Sequence, residues 1–142
     1  MTTSRREQIL AALYSELEGT VDVGTRIYRS RVEAFSREEA PAIVIEPARD
    51  PARTYSNCKL DWTLDVLVAI YTRGSNADQL ADPIAVDVHS KLMADRTIGG
   101  LAIDITPIDT VWERDKGDLT SLWLVATYQV RYRTKDDDLT AS

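Results

Sequence analysis

At 142 residues, 44% hydrophobic and 28% charged, the chain has the size and balance of one globular domain around a single core. Its formal charge of −6 repels phosphate at long range, which argues against nucleic-acid binding as the main role. The one cysteine, Cys58, excludes an internal disulfide, and no run approaches the roughly 20 apolar residues of a membrane helix.

The first residues, Met1 to Arg6, lack the apolar stretch of a signal peptide, so a cytosolic origin is expected. Ser4 followed by Glu7 has the spacing of a capping box. Ile9, Leu10, Leu13 and Leu17 then share one helical face, and Gly19 ends the run. This predicts a helix over about 4–18. Residues 25–32 alternate and read as a strand that places Arg29 and Arg31 on one side. Residues 42–46 are a short apolar strand closed by Pro47, and residues 47–57 read as an exposed loop.

The clearest periodicity is in residues 59–73. Leu60, Trp62, Leu64, Val66, Val68 and Ile70 take one face, while Asp61, Thr63 and Asp65 take the other. A strand of that length exceeds the usual five or six residues, so part of it is expected to outrun its sheet. A second helix follows, capped by Asn76 with Gln79, or starting later at Asp82 with Pro83 in its first turn. Leu80, Ile84, Val88 and Leu92 recur every four residues, a stripe that belongs on a sheet. The helix ends near Ala94.

The last third reads as strands at 101–105, at 111–113 beyond Pro107, and at 122–132, with a hairpin turn at 115–118 whose Gly117 suits a positive φ. Residues 135–142, with Asp136, Asp137 and Asp138 and no apolar cluster, are expected to form a flexible acidic tail. The sum is α+β: one domain over residues 1–134, a mixed, mostly antiparallel sheet of about five to six strands, and two helices packed on one face.

Candidate chemistry is thin. His89 is the only histidine; it has no second imidazole at ligand spacing and reads as a solvent-facing helical residue. Cys58 has no base to activate it and reads as a small, semi-buried residue at a strand edge. Asp61 and Asp65 share a strand face, as an acid–base pair would, but alternation already requires polar groups there. The glycines form no phosphate-cradling loop. No cofactor, no metal and no catalytic residue are expected. Arg26, Arg29, Arg31, Arg49 and Arg53 are the one basic concentration, interleaved with Glu33, Glu38, Glu39 and Glu46; salt bridges at an interface or a solvated face suit them better than an anion site.

One resemblance runs through most of the chain. The stretches Gly24 to Glu33, Pro41 to Pro47, Leu60 to Leu64, Ala81 to Ile84, Gly100 to Ile105 and Tyr128 to Thr134 resemble the tail terminator (tail completion, minor tail protein) family of long-tailed phages and prophages. That resemblance implies a homo-oligomer, a hexameric ring on the last ring of tail-tube protein. Such a ring stops tube polymerisation and offers a surface to the head–tail connector. It implies assembly in the bacterial host cytoplasm, a place in the virion tail, and passage of DNA through the ring without specific binding, with no membrane partner. Within this frame Arg29 and Arg31 are the expected contacts to a neighbouring subunit or to the tube, with Arg49 and Arg53 next. Other readings are a different head–tail connector or neck subunit, or a small ligand-binding domain or enzyme.

Overall fold

The computed structural model describes residues 2–31, 33–115 and 117–142. Val32, at the end of the expected first strand, and Lys116, within the expected turn, lie outside the described residues.

The chain folds as α+β, with helices α1 (Arg5–Leu17) and α2 (Ala77–Ala94) and strands β1 (Ile27–Arg29), β2 (Ala42–Arg49), β3 (Ala52–Ser56), β4 (Lys59–Arg73), β5 (Asp104–Asp115) and β6 (Asp118–Lys135). The six-stranded sheet runs β1-β2-β4-β6-β5, with β3 pairing β4 beside β2. Only β1–β2 is parallel; every other pair is antiparallel. Leu64, Val66, Val68 and Ile70 of β4 and Leu124, Tyr128, Val130 and Tyr132 of β6 form one buried face, and both helices cover it. Fully burying an aliphatic side chain of this kind contributes about 1.5–3 kcal/mol.

Helix α1 starts where its cap pattern predicts. The Ser4 hydroxyl accepts the Glu7 N–H at 3.2 Å, satisfying one of the orphan donors of the first turn. Gly19, just past the helix, has φ +81°, a left-handed conformation that favours glycine. Helix α2 departs from expectation at its start. Asn76 makes no side-chain cap, the helix begins at Ala77, and Pro83 sits inside it rather than in a late first turn.

Three strand expectations are corrected. Residues 47–57 are not a loop: β2 continues to Arg49 and β3 occupies Ala52–Ser56, both paired with β4. Their exposed, polar residues hide the strands from a hydrophobic pattern. Strand β4 does not outrun its sheet, because all 15 of its residues pair with β6, from Lys59↔Lys135 to Arg73↔Ser121. Strand β5 is a single strand through Pro107, with a register shift between Pro107 and Asp109 that makes Ile108 an extra residue. A proline and a bulge are tolerated there because β5 is the sheet's edge.

Beyond β6 the chain turns back on itself. The Arg5 N–H at the start of α1 donates to the Leu139 carbonyl at 2.7 Å, and the Lys135 N–H donates to the Ala141 carbonyl at 2.9 Å.

Candidate functional site

Arg29 and Arg31 do not share a side. Arg29 projects toward the helices and donates to both Glu7 oxygens of α1, at 2.5 and 3.0 Å. Ser30 follows with φ +51°, which breaks the alternation and ends β1. Arg31 then turns to the other face of the sheet, where it donates to both Glu39 oxygens at 2.7 and 3.0 Å. Its guanidinium also stacks 4.1 Å from the Phe35 ring centre and 4.7 Å from that of Tyr28. The two pairings hold their carboxyls below the ordinary range; hydrogen bonding to Arg31 brings Glu39 down to about 2.

Phe35 continues an aromatic cluster on that face, opposite α1 and α2. It stacks on Tyr71 at 5.1 Å and meets Trp123 at 5.7 Å, while Tyr28 closes the group at 5.4 Å. Single-strand alternation does not reveal this cluster, because its members come from β1, the following loop, β4 and β6.

Arg49 and Arg53 are exposed, and neither makes an ion pair among the described residues. In register Arg49 lies opposite Asp65, and Arg53 opposite Asp61. Asp61 is instead held by Arg133 at 2.6 Å, and Asp65 accepts from Gln129 at 3.4 Å. The two aspartates share a face as expected, each with a polar neighbour from β6.

Cys58 is exposed in the β3–β4 turn with φ +67°, not semi-buried at a strand edge. Residues 52–56 pair with β4 as β3, so Cys58 falls in the tight turn between the two strands. His89 is exposed on α2, and its Nδ1 lies 2.9 Å from the Tyr128 hydroxyl. Among the described residues no group of three or more His, Cys, Asp or Glu is placed to hold a metal, and no helix is long and apolar enough to cross a membrane.

A buried polar group lies under α1. The Tyr132 hydroxyl donates to Asp50, and Arg6 approaches the same carboxylate at 3.4 Å. Arg6 also lies over Trp62, whose ring stacks on Tyr132. Burial raises the Asp50 carboxyl above its usual range and raises the Tyr132 hydroxyl further. The other Asp50 oxygen is buried without a partner among the described residues. No local pattern could have joined residues 82 positions apart.

Between α2 and the β5–β6 edge runs a groove of about 410 Å³, lined by Val86, His89, Thr110, Trp112 and Tyr128 among others. Val86 is 61% and Trp112 56% exposed, while Ile105 at the start of β5 is buried, so the helix layer leaves only the later part of the outer strand uncovered. The described residues present two sheet edges, an apolar groove between α2 and β5–β6, and exposed charged side chains along the edges.

No family model matches the chain, and no curated protein matches it. Among solved structures its fold is similar to a chain in the virion of a native gene transfer agent particle, with a TM-score of 0.64 at 13% identity. The likeness covers 87% of this chain and 93% of that one.

Proposed function

We propose that the protein is a structural subunit of a phage-type particle and, within that class, a tail terminator. In this reading copies assemble as a hexameric ring, cap the tail tube, stop its polymerisation and provide the surface to which the head connector attaches. The observation that carries it is the fold likeness to a virion chain over 87% of the sequence, which agrees with the tail-terminator resemblance of the strand and turn segments. The acidic balance of the chain suits a ring through which DNA slides without sticking.

The test is loss of the gene in a particle-producing host, followed by electron microscopy of tails. Overlong tails support the terminator reading, because uncapped tubes keep growing. Normal-length tails that fail to join heads would replace it with a connector or neck role. In complementation, His89→Ala and Cys58→Ser should restore normal tails; a variant that folds but fails would point to a bound ligand or a reaction in place of pure assembly.

A further inference from the structure

The sheet ends in two open edges. On one side, among the described residues, β5 pairs only with β6. On the other, among the described residues, β1 covers β2 at Ile43, Val44 and Ile45, and the rest of β2 and all of β3 pair only with β4. Open edges of this kind pair with further strands unless something blocks them. Here the edges carry opposite charge. Asp109 and Glu113 on β5 are exposed, as are Arg49 and Arg53 on the far side, and none of the four makes an ion pair among the described residues.

We infer that the two edges are the two halves of one contact between copies of this chain, with Arg49 and Arg53 of one copy meeting Asp109 and Glu113 of the next. The inference rests on the ring reading and names the surfaces that would close such a ring. Three relationships support it.

All four side chains lie on one face of the sheet. Arg49 and Arg53 are in register with Asp65 and Asp61 of β4. Asp109 and Glu113 are in register with Thr127 and Trp123 of β6, which pair with Leu67 and Tyr71 of β4. These are the odd positions of β4, the face opposite α1 and α2. Two sheets joined edge to edge keep that face continuous, so the charges become cross-strand neighbours.

The spacing also matches. Measured along β4, the arginines lie four residues apart, at 65 and 61, and the acids four apart, at 67 and 71. Each separation is about 13 Å. Strand β5 runs opposite to β2 and β3 within the sheet, so a second copy set alongside without turning over adds an antiparallel neighbour. Arg53 then faces Asp109 and Arg49 faces Glu113, with the copies displaced by six residues along the strands, about 20 Å.

The contact is directional as well. Two β5 edges would bring acid to acid, and two β2–β3 edges base to base. Only the unlike edges fit, which makes the contact heterologous, the kind that repeats around a ring. An arriving copy would also cover Trp112, which stands 56% exposed on β5.

The experiment uses two full-length variants, Arg49→Glu/Arg53→Glu and Asp109→Arg/Glu113→Arg, each checked for fold by circular dichroism. Sedimentation is measured under whichever condition, alone or on tail-tube protein, the parent chain assembles. Each variant alone should stay at the 15.9 kDa monomer. An equimolar mixture should recover assembly, because intact edges then meet intact edges and reversed edges meet reversed ones. Assembly of either variant alone at the parent's level would overturn the inference while leaving the ring reading in place, as would a mixture that stays monomeric. A parent chain monomeric under both conditions would end both readings. If either reversal unfolds the chain, Arg53→Cys with Asp109→Cys in a Cys58→Ser background takes its place: oxidation should give a ladder of disulfide-linked copies, and its absence would reject the register.

Discussion

The Arg29 guanidinium grips both oxygens of Glu7, at 2.5 and 3.0 Å, and so ties β1 to the first turn of α1. Glu7 occupies the position from which a capping-box glutamate would return to its own helix terminus. It faces Arg29 instead, while its backbone N–H remains with Ser4. Arg29→Ala should therefore weaken the fold, by about 1 kcal/mol given the partial exposure of both partners. Arg29→Glu should cost more, since it sets two carboxylates together. Denaturant melts of Arg29→Ala, Glu7→Ala and the double variant measure the coupling; a coupling of zero would remove the pair from the fold's stability.

Acid should loosen the domain. Glu7 is held below 4.5 by its hydrogen bond to Arg29, Glu39 to about 2 by Arg31, and Asp118 to about 2 by Thr120. Each folded value lies below the unfolded one. Their stabilisation is thus present in full above pH 4.5 and lost as pH falls toward 2. Asp50 has the opposite sign, since burial raises it and protonation relieves a penalty. With several lowered carboxyls against one raised, the melting temperature should fall below pH 4.5, and Glu39→Gln should flatten part of that decline. A melting temperature level down to pH 2 would contradict the pairings.

Tyr132→Phe should destabilise the fold by about 1–3 kcal/mol, the cost of removing a partner from a buried polar group. The Asp50 carboxylate already has one unpartnered buried oxygen, and the substitution strips its hydroxyl donor. Tyr132→Phe with Asp50→Leu should recover part of the loss, because the buried charge goes as well. A double variant weaker than the sum of the singles would overturn this account.

Removing residues 136–142 should lower stability by about 1 kcal/mol, because the Arg5 N–H loses the Leu139 carbonyl and turns to water. The helical signal should persist, since Ser4 still caps α1. An unchanged melting temperature would show the segment behaving as the free acidic tail that its composition suggests.

Long elements with one buried face were legible in the sequence. Helix α1 with its Ser4 cap, β4 from Lys59 to Arg73, and the inner face of β6 follow from local periodicity, which depends only on which side chains must leave water. Strand β3 was not, since all five of its residues are exposed and no apolar alternation marks it. Strand β5 was not legible as one element, because Pro107 normally ends a strand and only the edge position and the bulge at Ile108 make it tolerable.

The sequence by itself determined the α+β class, the two apolar helix stripes, the long central strands and the scarcity of catalytic groups, because each depends on residue type and near-neighbour spacing. Tertiary structure alone decided which arginines are spoken for. Six arginines from Arg26 to Arg53 look alike along the chain. Folding brings Glu7 to Arg29 from 22 residues away and Glu39 to Arg31, while the turn at Ser30 sends those two arginines to opposite faces. Arg49 and Arg53 stay exposed on an open edge. Charge pairing depends on distance in space, which the order of residues does not contain.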